Sequence, residues 1–170
     1  MTEPNQGGAL EGCQRCSSEC HYRCCDQVGP EDPDFSLENG ILLYPGEWEQ
    51  AQEGMRRHLL ITVKDHCGGK VAKCDAANFD QSTCHPDRNL KPLDCQSYPF
   101  SPILTETGEI DLALDTTRCP LARDPIQLRA HYEAILRRWR EVAERNVSIR
   151  DWIASLHLKG YVPYRSHPFF

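Results

Sequence analysis

The chain has 170 residues, of which 39% are hydrophobic and 26% charged, with a formal net charge of -6. That suits one domain with a modest core, and the acidic balance argues against a non-specific nucleic-acid binder. No stretch of ~18 consecutive apolar residues occurs, so no membrane-spanning helix is expected.

Met1 to Gly12 has neither a basic nor an apolar segment and reads as a polar, disordered lead-in rather than a secretory signal. Cys13 to Cys25 is a dense C-x2-C-x3-C-x3-C-C segment, too rich in cysteine for an ordinary helix or strand. Val28 to Asn39 is acidic, contains Pro30 and Pro33, and reads as a loop. Ile41 to Tyr44 is a short apolar run between Gly40 and Pro45, which predicts a strand. Pro45 to Glu53 predicts a short helix, with Glu47 and Glu49 suited to its N-terminus. Leu59 to Lys64 predicts a strand, His66 to Gly69 a turn and Lys70 to Cys74 a return strand. Asp75 to Pro102 shows little periodicity, and a long irregular segment in a compact domain needs something to order it. Pro102 to Asp115 predicts a hairpin turning at Thr107-Gly108, with Ile110, Leu112 and Leu114 on one face.

The C-terminal third changes character. Asp124 suits an N-cap and Pro125 a first helical turn. Apolar residues at 126, 128, 132, 135, 136, 139 and 142 then recur at helical spacing to about Arg145. Ser148 to Asp151 resembles a capping box opening a second helix, with Ile149, Trp152, Ile153 and Leu156 inward and Gly160 as its stop. Arg137, Arg138 and Arg140 are expected on the solvated face. The predicted architecture is α+β. A disordered lead-in (1–12) precedes a small irregular cysteine-rich region with short strands (13–120), a helical pair (121–160) and a tail (161–170).

Ten cysteines are the strongest chemical signal. They could form a disulfide framework, which needs an oxidising compartment, or bind metal as thiolates in a reducing one. The lack of a secretory signal favours metal. Closely spaced cysteines ending in a vicinal pair are a far stronger signal than one C-x2-C. Cys24 and Cys25, being adjacent, point to opposite sides of an extended chain and are poorly placed to chelate one ion together. His21, His66 and His85 each neighbour a cysteine and read as polar loop residues, with zinc ligation through imidazole as the alternative, while His131 and His157 read as surface or packing residues.

The Cys13 to Cys25 segment resembles the CxxCxxCC cysteine-cluster proteins, the YkgJ-type zinc- or iron-chelating family. Three further segments carry the resemblance: "ILLYPGEWE" (Ile41 to Glu49), Cys74 and Cys84 followed by "KPLDCQSYPF" (Lys91 to Phe100), and Cys119-Pro120. Together they cover about Cys13 to Pro120. The chain departs from the family pattern in having three residues between Cys20 and Cys24, Lys91 in place of Arg, and Gln96 in place of Arg after the cysteine. The resemblance implies metal binding by Cys20, Cys24, Cys25, Cys74, Cys84, Cys95 and Cys119, with Cys16 next. That exceeds the four thiolates usual for one centre, so either two centres exist or some of these cysteines pack without ligating. Cys67 falls outside the pattern.

No GxSxG, Walker loop, GxGxxG or HExxH is present, and no carboxylate pair is selected by spacing. Tyr98, Pro99 and Phe100 are expected to pack beneath the site. The expected cofactor is an iron–sulfur cluster of the 4Fe-4S type serving a redox or enzymatic role. The alternative is zinc in a structural or interaction module without turnover. A cytoplasmic protein is expected, with a protein or small-molecule partner of unknown identity and with neither nucleic acid nor membrane.

Overall fold

A computed structural model describes residues 40–74, 90–116 and 124–168. The fold is α+β. In chain order the elements are β1 (Ile41–Leu43), α1 (Glu47–Gln50), α2 (Glu53–Arg56), β2 (Leu59–His66), β3 (Gly69–Cys74), α3 (Leu93–Ser97), β4 (Phe100–Leu104), β5 (Ile110–Asp115), α4 (Pro125–Arg145), α5 (Ile149–Ser155) and β6 (Tyr161–Pro163). A 3-10 turn, Tyr164–Ser166, follows. The strands form two antiparallel three-stranded sheets, ordered β1-β3-β2 and β4-β5-β6.

The first sheet is apolar on both faces, which explains why Ile41, Leu42 and Leu43 run without a polar interruption. Successive side chains of a strand point to opposite faces. Leu42 and Val71 face the main core, whereas Ile41, Leu43 and Ala72 face a second, smaller cluster with Met55 and Leu59. In β2, Ile61 belongs to the second cluster and Val63 to the main one although they are two residues apart. The pairing with β3 shifts register between them, and that irregularity moves Val63 to the other face. Gly69 is required by close approach: any β-carbon there would collide with the indole of Trp152 and the carbonyl of Leu43.

The main core is aromatic at both ends. Trp139 and Trp152 stack with centroids 6.0 Å apart. Phe100 meets Tyr132 at 5.6 Å and Tyr164 at 5.2 Å, both edge to face. Tyr164 is fully buried, and β6 pairs with β5 through Ala113, Leu114 and Asp115. The segment read as a tail therefore completes a sheet and plugs the core. Arg165 pins it further, its Nε lying 2.9 Å from Asp111 Oδ2, while the Tyr132 hydroxyl donates to Asp111 Oδ1 at 2.5 Å.

The hairpin, the return strand and the long helix form as the sequence predicts, and Asp124 Oδ1 caps α4 by accepting from Ile126 and Gln127 at 3.1 Å. Several local expectations fail. The short helix predicted over 45–53 forms as α1 but covers only Glu47–Gln50, and a separate helix, α2, starts at Glu53. Ile126 is 83% exposed because it sits about 200° around the helix from Leu128, where the buried stripe begins. Ser148 makes no side-chain cap; instead Asn146 Oδ1 takes the Ser148 amide at 3.1 Å. Helix α5 ends at Ser155, and Gly160, at φ 78°, turns the chain into β6 rather than stopping a helix.

These packing differences give a stability prediction. Tyr164→Ala should destabilise the fold by ~3 kcal/mol or more, as expected for a large aromatic removed from a core. Ile126→Ser should change it by less than ~0.5 kcal/mol. Urea midpoints of the two variants check this, and similar shifts for both would contradict the assigned packing.

Candidate functional site

β1 is an edge strand, so its outward amides lack a neighbouring strand to bond. Two carboxyl groups take them. Asp94 Oδ2 accepts from the Leu42 amide at 2.9 Å, and Glu47 Oε2 accepts from the Tyr44 amide at 3.2 Å. The other oxygen of Glu47 accepts at 2.7 Å from the amide of Leu93, the first residue of α3. An N-terminal helical amide has no partner within its own helix, and Glu47 supplies one from outside. The segments Ile41–Glu49 and Lys91–Phe100 are thus strapped together reciprocally, each lending a carboxyl to a backbone amide of the other.

Helix α4 holds the rest of α3. The indole N–H of Trp139 donates to Ser97 Oγ at 2.9 Å, and that hydroxyl donates to the Leu93 carbonyl at 2.6 Å. His131 Nε2 lies 3.1 Å from the carbonyl oxygen of Ser97 and 3.0 Å from that of Tyr98. Both partners only accept, so Nε2 carries the proton. Arg138 donates to Gln96 Oε1, and Gln96 Nε2 donates to the Lys91 carbonyl at 2.6 Å. His131 accordingly is a buried clamp. Arg138 is half-buried rather than solvated, while Arg137 and Arg140 are exposed as expected.

This framework places two candidate ligands. Cys95, on α3, borders the second apolar cluster, and so does Cys74, at the end of β3. Cys74 reaches it by strand alternation, two residues beyond Ala72 on the same face. Two thiols from segments distant in sequence therefore meet one apolar surface beside Ile41, Leu43 and Leu59. Cys16, Cys20, Cys24, Cys25, Cys84 and Cys119 lie outside the described residues, as do Cys13, His21 and His85. Among the described residues, no group of three or more His, Cys, Asp or Glu side chains could hold a metal ion. Cys67 is an exposed thiol in the β2–β3 turn at φ 50°. Phe100 is buried in the main core, and the Tyr98 hydroxyl donates to Asp115 Oδ2 at 3.3 Å. They support α3 from the main-core side.

Sequence reasoning did not single out Glu47, Asp94, Ser97 or Trp139 as a positioning network. The signal available was the pairing of the two segments, the first carrying Glu47 and Glu49 after an apolar run and the second Asp94 beside Leu93.

Burial raises both carboxyls. Desolvation pushes Glu47 up to about 8, with Asp94 adding to the rise and the Leu93 and Tyr44 amides and Arg138 opposing it. Desolvation likewise raises Asp94 to about 7, opposed by the Leu42 amide. Tyr44 is raised by burial and by Glu47.

No helix among the described residues is long and apolar enough to cross a membrane. Comparisons with protein-family models, with curated proteins and with solved structures find no match.

The Glu47 carboxyl generates a pH prediction. Above about 4.5 the unfolded chain has lost this proton, while the folded chain keeps it up to about 8. The folded state then binds more protons, so stability should fall as pH rises through that interval, by up to about 1.4 kcal/mol per pH unit from one such group. Glu47→Gln retains an accepting oxygen but cannot ionise. Its urea-unfolding free energy should fall less steeply with pH than that of the parent chain, with Asp94 contributing a residual slope. Parallel profiles for the two proteins would refute the assignment.

Proposed function

We propose that this chain is a metal-chelating cysteine-cluster protein of the YkgJ type, that its cysteines hold an iron–sulfur cluster in a redox or enzymatic role, and that it works in the reducing cytoplasm. The observation carrying this reading is the arrival of Cys74 and Cys95 at one apolar cluster, Cys95 on a segment strapped to β1 by Glu47 and Asp94 and Cys74 at the end of β3, which pairs with β1. Thiolates are the donor type that soft centres select, and apolar surroundings favour a cluster by limiting water access. Cys74 and Cys95 would supply two of the thiolates, and the remaining ligands would come from Cys16, Cys20, Cys24, Cys25, Cys84 and Cys119. When bound, the cluster would supply one-electron chemistry or an open iron. The chain's own residues hold the ligands in place: Glu47 fixes the start of α3, and His131 and Trp139 fix its end.

The test is purification without oxygen, followed by assay for iron, acid-labile sulfide and zinc. Iron with sulfide is the expected result, falling in Cys95→Ser and in Cys74→Ser. Stoichiometric zinc without sulfide would replace the cluster with a structural centre. Absence of any metal, or full metal in both serine variants, would overturn the reading.

A second expectation concerns what metal loss does to the fold. None of the described cysteines belongs to the main core, whereas Cys74 and Cys95 border the second cluster. Chelation should therefore change the fluorescence contributed by Trp48, which packs on the second cluster, and leave near-ultraviolet dichroism from Trp139 and Trp152 largely in place. Complete loss of that dichroism would mean that the two clusters are not energetically separate.

A further inference from the structure

A cleft of about 290 Å³ lies between the second sheet and the chain leaving α5, and no cysteine among the described residues lines it. Its floor follows from strand register. Ser101 of β4 pairs with Ala113 of β5, which pairs in turn with Pro163 of β6, and cross-strand partners share a face. All three line the cleft, and Leu156 and Leu158 wall it. Phe100, Leu112 and Leu114 alternate with the floor residues and enter the main core instead. We propose that this cleft binds a small uncharged alcohol or phenol, whose apolar body fills it and whose hydroxyl bonds to Ser101.

The Ser101 hydroxyl points to the ligand's polar group. Ser101 is 2% exposed, and its Oγ makes no hydrogen bond among the described residues. Buried Ser97 shows the ordinary arrangement, donating to the Leu93 carbonyl and accepting from Trp139. A buried hydroxyl without a partner forfeits the bonds that water gave it, so such groups are rare. Water is a poor substitute here, because an ordered water needs several polar partners and the side chains flanking Ser101 on the floor are those of Ala113 and Ile103. A ligand hydroxyl brings its own apolar body, and serine can both donate to it and accept from it. Size and charge set the rest. A dry cavity of ~150 Å³ accommodates benzene, so the cleft has room for one substituted ring or a short chain. Tyr161 is the one lining residue with an ionisable side chain among the described residues, and an ion entering would lose its hydration with no opposite charge to replace it. The clefts along α4 are lined by arginine and glutamate instead.

The probes are p-cresol, toluene and benzoate, each titrated into the full chain and followed by amide NMR shifts. Saturable shifts at Ala113, Leu156 and Leu158 are expected with p-cresol, and benzoate should bind more weakly. Ser101→Ala deletes a hydroxyl that has no partner, so the variant should fold as stably as the parent. It should weaken p-cresol about fivefold, the scale of one net hydrogen bond, and leave toluene, which has no hydroxyl, unchanged. No saturable binding of p-cresol would overturn the proposal, as would benzoate binding equally well. Unchanged p-cresol affinity in Ser101→Ala, or equal losses for p-cresol and toluene, would remove the bond to Ser101 on which the choice of ligand rests.

Discussion

The outward amides of β1 are the constraint around which the first sheet and α3 are arranged. An unpaired edge strand invites association with another chain, and buried amides without acceptors are costly. A second strand beside β1 would have solved both problems and left no room for α3. The chain instead brings in two carboxyls, Glu47 from the start of the helix after the strand and Asp94 from a segment ~50 residues further on. Their desolvation raises both pKa values, so the solution has an electrostatic cost that a strand would not have.

That arrangement positions α3 at every point where a short helix is weak. A helix of this length has almost no intrinsic stability. Glu47 takes its first amide, Ser97 takes its Leu93 carbonyl and is itself held by Trp139, and His131 takes its last carbonyls. Cys95 sits in the middle of a helix whose ends are both fixed by other elements. Cys74 is fixed differently, by the pleat and pairing of β3. The two candidate ligands thus have independent supports, and each support runs back to the main core, through Trp139 for α3 and through Val71 for β3.

Much of the fold was legible in the sequence because its elements obey simple periods. Helix α4 announced itself through Asp124, Pro125 and a buried stripe at three- and four-residue spacing. The β4–β5 hairpin did so through Thr107-Gly108 and alternating apolar residues. What could not be read were features decided by partners distant in the chain. Ile126 is not such a case, because at ~100° per residue it stands about 200° from Leu128 and the spacing alone already leaves it outside the stripe. Tyr161 to Ser166 carries no strand period long enough to recognise, and its burial depends on a hole between Phe100 and Tyr132. The same holds for the candidate site. The resemblance pointed to Cys74 and Cys95, but the straps that place Cys95 are bonds from side chains to backbone amides, and no spacing rule encodes those.

The separation of the two apolar clusters bears on what a metal centre would do here. In a small domain with one core, metal and fold stand or fall together. Here the first sheet divides the apolar residues: Leu42 and Val71 are committed to one side, and Ile41, Leu43 and Ala72 to the other. The main side has two stacked indoles, a three-ring aromatic group and the long helix, and burial on that scale is enough to hold a domain together. The second side, among the described residues, is covered only by single-turn helices and bordered by the two cysteines. A surface with so little cover gains most from any further element or ion that closes over it. In the proposed reading, the rigid main core would fix two thiolates in advance, and the bound centre would stabilise chiefly the second face. Metal could then be lost and regained without the whole chain refolding, an arrangement suited to a centre that exchanges electrons or ligands.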